Sequence, residues 1–292
     1  MAFLSYLISG LGLGSVYAII ALGYSMVYGI AKMLNFAHGD IIMAGAFAAF
    51  FAMTGAGLPL IAAALISMAV CTLLGVTIER LAYKPLRNAS SLSVLITAIG
   101  VSYFLQNAAQ LLFGSDTKIF PSVLSGSFSL FSGALSVSYL SVVTILVCLV
   151  IMGGLTLFIN KTKTGKAMRA CSEDKGAAVL MGINVNRIIS ITFAIGSGLA
   201  AIAAILLCAT YPSVYPTLGS MPGIRAFTAA VFGGIGSIPG AFLGGLLLGV
   251  IETMAKAYIS TQLSDAIVFA VLIIVLLIRP TGLLGKKVNV KV

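Results

Sequence analysis

Six long apolar runs mark the chain, at roughly 7–31, 58–78, 92–113, 138–159, 188–210 and 262–279. Each is close to the ~20 residues a helix needs to cross the hydrocarbon core of a bilayer. Two further stretches, about 40–54 and 225–259, are apolar but short or broken by glycine and proline. The second contains GGIGSIPG at 233–240, a turn expected inside or at the edge of the membrane. Non-helical backbone is tolerated at that depth only under cover of protein or beside a water-filled cavity. The pattern predicts an all-α integral membrane protein, one transmembrane domain over 1–292, with a bundle of about 8–9 helices.

The polar interruptions set the direction. Three are basic: 79–88 with Arg80, Lys84 and Arg87; 160–187 with Lys161, Lys163, Lys166, Arg169, Lys175 and Arg187; and the tail with Arg279, Lys286, Lys287 and Lys291. Excess Lys and Arg marks cytoplasmic loops, so these three are expected inside and the C-terminus with them. The stretches near 114–137 and 211–224 carry only Lys118 and Arg225 and are expected outside. If 40–54 spans, the N-terminus is outside; if 225–259 crosses twice, the crossings number nine, and a re-entrant piece lowers the count. Four segments precede the span at 138–159 and four follow the loop 160–187, the first set starting outside and the second inside. That is the layout of inverted-topology repeats.

Composition agrees. The 292 residues are 60% hydrophobic and 8% charged, with a mean hydropathy of +1.15; soluble domains carry about a quarter charged residues. Seventeen basic against seven acidic residues give a net charge of +10, which reports membrane orientation and not a nucleic-acid partner. The N-terminus has no Lys or Arg before its apolar run, so the first helix is expected to be retained. Cys71, Cys148, Cys171 and Cys208 show no metal-ligand spacing, and His38 is the only histidine.

Two stripes leave their role open. Gly10, Gly14, Tyr17, Ala21, Tyr24 and Tyr28 fall within about 80° of one helix face, suited either to close helix packing or to lining a path. Ser93, Thr97, Gly100, Tyr103, Asn107 and Gln110 fall within about 140°. Amides cannot face lipid unsatisfied, so this face is expected to look inward, as helix glue or as part of a translocation path. Asn35, His38 and Asp40 sit at a turn between helices, where they either brace the inner mouth of a path or serve turn chemistry, with Asp40 as an N-cap. Glu252 and Lys256, four apart, suit a local ion pair near the outer end; Arg225 opens a half-helix, where positive charge opposes the dipole, and suits an interfacial anchor or a meeting with an anionic group such as a substrate carboxylate or a partner's surface.

Several chemistries are excluded. There is no GxxxxGK[ST] phosphate loop, no Ser/His/Asp set with a single histidine, and no carboxylate in the middle of a long span of the kind an ion-coupled carrier uses. The chain is therefore expected to be a transport subunit and not an enzyme, with its energy supplied by another subunit. In the loop 160–187, residues 173–182 suit a short helix: acids lead it, alanines follow and a glycine ends it. Such a helix can dock in a groove of a motor protein, and a bulky charged residue at Ala178 is expected to disturb that docking.

Ala177-Ala178 followed by Gly182 resembles the coupling motif of bacterial ABC-importer permeases, with Gly176 where the motif has glutamate and with Glu173 and Asp174 just upstream. Further segments, MVYGIAKMLNFAHGD (26–40), IERLAYKPLR (78–87), ITAIGVSYFLQN (96–107), RACSEDKGAAVLMGIN (169–184), AFTAAVFGGIGSIPGAFLGG (226–245) and PTGLLG (280–285), resemble the LivH-type permease of branched-chain amino acid ABC transporters. The resemblance implies a heterodimer with a LivM-type permease in the bacterial inner membrane, two cytoplasmic ATP-binding subunits carrying ATP and Mg, and a periplasmic amino-acid-binding protein. It also implies alternating-access import of Leu, Ile or Val. The other class consistent with the residues is a stand-alone carrier or channel for a small neutral or zwitterionic solute such as urea or amides. Such a protein would move solute when reconstituted alone.

Overall fold

The computed structural model describes residues 2–87, 89–124, 126–130 and 135–285. Its helices are α1 (Ala2–Ala31), α2 (His38–Thr54), α3 (Leu60–Ile78), α4 (Ser91–Phe113), α5 (Tyr139–Lys161), α6 (Lys163–Glu173), α7 (Lys175–Leu180), α8 (Val185–Thr210), α9 (Ser220–Gly233), α10 (Ile238–Tyr258) and α11 (Ser264–Ile278). The helices α1, α3, α4, α5, α8 and α10 are long and apolar enough to cross a membrane. By contrast α2, α9 and α11 have 17, 14 and 15 residues, about 20–25 Å of rise against a core of ~30 Å. Two small antiparallel sheets complete the described chain: β1 (Lys118–Ile119) with β4 (Ser213–Val214), and β2 (Ser127–Leu130) with β3 (Leu135–Ser138). The chain is an all-α membrane protein.

The polar segments sort by end. Arg87 bonds Glu79 and Asn186, and Ser190 donates to Glu79 at 2.7 Å, joining the 79–88 loop to the start of α8. Lys175 reaches the last carbonyl of α1. The stretch after α11 arrives at the same end, where Leu283 and Leu284 N–H groups bond Phe232 and Gly233 carbonyls at 3.0 and 2.9 Å. The tail lysines Lys286, Lys287 and Lys291 lie outside the described residues. At the far end β1 pairs with β4, and Tyr6 meets Tyr258 edge-on at 5.8 Å. Among the described residues the nine apolar helices therefore alternate in direction. The broken stretch 225–259 is two of them, α9 and α10, folded about the glycine-rich turn at the basic end.

The packing repeats itself with inverted direction. When α1–α4 is matched with α8–α11, the contact of α1 on α10 corresponds to that of α8 on α3. Likewise α2 on α8 corresponds to α9 on α1, and α2 on α4 to α9 on α11. The short helices α2 and α9 are the equivalent pair, and they meet each other. Between α1 and α10 the close approach needs glycine: a Cβ on Gly249 would lie 2.2 Å from the Gly14 Cα, and one on Gly245 2.3 Å from the Ala18 Cα.

Candidate functional site

The site inside the membrane lies where α2 and α9 begin. Their backbones touch so closely that a Cβ on Gly39 would sit 2.4 Å from the Gly219 carbonyl oxygen, and one on Gly219 1.7 Å from that of Gly39. After α1 ends, residues 32–37 turn back into the bundle, beginning with Lys32 at φ 60°. They bring His38 beside Gly23, where a Cβ would lie 2.7 Å from the His38 Nε2. Gly23 is about 12 Å back along α1 from Ala31. This backbone is tolerated because protein covers it: Asn35, His38 and Asp40 are all buried.

Most polar groups there are hydrogen-bonded, while the His38 Nε2 is buried without a hydrogen-bond partner. Tyr83 donates its hydroxyl to the Asn35 Oδ1 at 2.9 Å. His38 meets the Tyr24 ring edge-on at 4.7 Å. Asp40 is not a cap, since Ala37 holds the N-cap position with no side-chain bond. It lies instead in the first turn of α2, where the helix dipole favours an anion. Gln106 of α4 joins the two helix starts, donating to the Asp40 Oδ1 at 2.9 Å and lying 3.3 Å from the Ser220 Oγ. Asn35, His38 and Asp40 thus lie in a buried junction between α1, α2 and α4. Gln106 escaped the sequence reading because it lies outside the arc chosen on α4.

That arc is corrected by the structure. The buried face of α4 carries Val94, Ala98 and Ala109, whereas Ser93 and Thr97 are half-buried and Gly100, Tyr103, Asn107 and Gln110 are exposed. The stripe faces away from this chain's own helices. An amide can do so because Asn107 donates to the Tyr103 carbonyl one turn back, at 2.7 Å. Of the other stripe, Tyr17 and Tyr24 are buried and Tyr28 is half-buried.

Arg225 also departs from expectation. It is no interfacial anchor but the centre of a charge cluster, 3.0 Å from the fully buried Glu252, 2.6 Å from Asp265 and 2.9 Å from the Tyr17 hydroxyl. Lys256 contacts the same Glu252 oxygen at 2.5 Å, as the i,i+4 spacing predicts. The cluster ties α1, α9, α10 and α11 together near the far end.

The loop 160–187 is built as two helices, where sequence suggested one. Thr162 caps α6, its Oγ1 accepting the Gly165 N–H at 2.9 Å. Gly165 has no room for a Cβ, with the Ile159 Cα and Phe158 O at 2.4 Å, so the chain doubles back sharply from α5. Met168 and Cys171 then bury one side of α6; Thr162 and this three-residue spacing were the missed signal. Glu173 ends α6, and Asp174 caps α7 by accepting the Ala177 N–H at 3.0 Å. Gly176 occupies an exposed first-turn position. At the other end Gly182, at φ 77°, closes a Schellman turn: its N–H bonds the Val179 carbonyl and the Ile183 N–H bonds that of Ala178.

This geometry reassigns the alanines. Ala178 is 3% exposed and faces the bundle, setting how closely α7 lies on it, while Val179, Leu180 and Met181 are 59%, 89% and 81% exposed. This bare apolar edge is bracketed by Asp174 and Lys175 before it and by Asn184 and Arg187 after it. Lys175 links α7 to the core: its Nζ donates to the Ala31 carbonyl at 2.7 Å, filling an otherwise orphaned acceptor at the end of α1. Burial, with the charges of Arg87 and Lys32 close by, holds this ammonium below the ordinary lysine range.

A bundle of inverted repeats with a capped, exposed apolar helix on its polar end is the architecture of a membrane transport subunit. The family model for the branched-chain amino acid transport system permease component matches residues 6–276. The chain is 48% identical to the high-affinity branched-chain amino acid transport system permease protein BraD of Pseudomonas aeruginosa. It is 45% and 44% identical to the corresponding LivH proteins of Salmonella typhimurium and Escherichia coli. Each match covers 97% of this chain and 96% of the relative. The chain belongs to this permease family. The relatives support the permease reading over a stand-alone carrier.

Proposed function

We propose that the chain is a membrane-spanning permease subunit of an ATP-driven importer that moves leucine, isoleucine or valine across the bacterial inner membrane by alternating access. The observation that carries it is α7. Its fixed caps, buried Ala178 and exposed Val179, Leu180 and Met181 suit insertion into a groove of a separate ATP-binding subunit. The basic end, with 79–88 and 160–187, faces the cytoplasm, and the N-terminus lies outside. The assembly holds a second, LivM-type permease, two ATP-binding subunits that carry ATP and Mg, and an external amino-acid-binding protein. An interior short of free charge suits a small zwitterion with an aliphatic side chain. The polar stripe of α4, with half-buried Ser93 and Thr97 and exposed Asn107, faces the path shared with the second permease.

The test is co-purification of the assembled subunits followed by uptake of labelled leucine into vesicles. Uptake is expected only with ATP inside the compartment that holds the basic end, and to rise when the binding protein is added. ATP-independent equilibration by the chain alone contradicts the proposal. A sharper expectation concerns Lys175→Met, which removes the bond to Ala31 and keeps the apolar stem. Charge-assisted hydrogen bonds contribute about 1.5–3 kcal/mol, so uptake is expected to fall roughly tenfold or more while the ATP-binding subunits still co-purify. Wild-type uptake by this variant would remove Lys175 from the coupling route.

A further inference from the structure

We propose that an anionic phospholipid binds at the basic end, its phosphate held by Arg80, Lys84 and Arg187 and its acyl chain laid along Val76, Ile191 and Ala194. These residues line an open cavity of about 500 Å³ between the end of α3 and the start of α8. Residues 79–83 continue α3 as one turn of π-helix with Lys84 at its C-cap, and Arg80 and Lys84 both line the cavity. Among the described residues, none of the three cations is in an ion pair. The adjacent carboxylate cannot neutralise them, because Glu79 is fully buried and already bound by Arg87 and Ser190. Arg187 lies in the first turn of α8, where its charge adds to the positive end of a 26-residue helix, so an anion there relieves two unfavourable fields at once.

The shape selects a lipid over a soluble anion. Arg80, Lys84 and Arg187 line the cavity with the polar Asn184, Asn186 and Ser190, and apolar Val76, Ile191 and Ala194 complete its lining. Beside it on the same segment, Leu81 and Leu73 are 74% and 69% exposed. Free phosphate would leave that wall wet, whereas a phospholipid covers both parts. Basic pockets between helices at a leaflet boundary are suited to anionic headgroups. The site needs only the membrane-spanning fold, so its failure and that of the importer proposal are separate results.

The experiment exchanges the assembled transporter through nanodiscs of equal phosphatidylglycerol and phosphatidylcholine, extracts it and counts retained lipid by native mass spectrometry. Selective retention of phosphatidylglycerol is expected, falling about a hundredfold in the triple variant Arg80→Gln, Lys84→Gln, Arg187→Gln. It should persist in the charge-keeping triple variant Arg80→Lys, Lys84→Arg, Arg187→Lys. If the neutral triple variant does not assemble, Arg187→Gln alone serves: partial loss supports the site and no loss overturns it. Equal retention of both lipids overturns it. So does stripping of phosphatidylglycerol by millimolar inorganic phosphate, which would make the cavity a soluble-anion site. Loss of the ATP-binding subunits with lipid retention unchanged also overturns it, making the cavity part of a protein interface.

Discussion

Leu180→Asp is expected to release the ATP-binding subunit and abolish ATP-dependent uptake while the chain itself still folds in the membrane. Leu180 is 89% exposed, so the fold of this chain gains almost nothing from its side chain. A partner groove that covers it would gain the full burial, and a charge placed there is left desolvated. Central interface anchors typically cost about 2–4 kcal/mol when removed, roughly thirtyfold to a thousandfold in affinity. Co-purification yield and vesicle uptake read the two halves of the expectation. Retained association with normal uptake would show that α7 does not dock through this edge. Ala178 makes a contrasting site: being buried, its enlargement should disturb the seating of α7 on the permease before it meets any partner.

The second large effect is expected at Gly219→Ala. The added methyl would fall 1.7 Å from the Gly39 carbonyl oxygen, a collision between two backbones that neither rotamer change nor side-chain motion can relieve. Both helix starts are held by Gln106, so separating them also breaks that bridge. Overpacking a core costs about 1–3 kcal/mol, and more where the backbone must move; this variant belongs at the upper end. Gly153→Ala supplies the control, since nothing lies within 4 Å of a Cβ there. A markedly lowered thermal midpoint in detergent is expected for the first and near-wild-type behaviour for the second. Equal midpoints would mean that α2 and α9 do not meet as described.

The apolar runs and basic loops made the helices, their alternation and the shared end of 79–88 and 160–187 legible in the sequence, because burial in lipid and charge at its edge act on segments as wholes. Rotation of a helix about its axis was not legible. The polar stripe of α4 reads as inward if every amide needs a partner from another helix, but Asn107 finds its partner one turn back. Depth was equally hidden: nothing local says that the segment before His38 re-enters the bundle, since the space it fills exists only because Gly23, Gly39 and Gly219 lack side chains. Arg225 needed long-range partners too, as Glu252 and Asp265 lie on two other helices. In the loop, the alanine-glycine pattern located α7, yet which residues face outward followed only from Ala178 being turned toward the bundle.

The most direct measurement is site-specific cross-linking from Leu180→Cys in the assembled transporter, in a background whose four buried cysteines are replaced by alanine. A cross-link to the ATP-binding subunit is expected from position 180, with none from Leu277→Cys on α11, which is exposed in this chain. Labelling of position 180 in intact cells by a reagent that cannot cross the inner membrane, with no cross-link formed, would contradict the account.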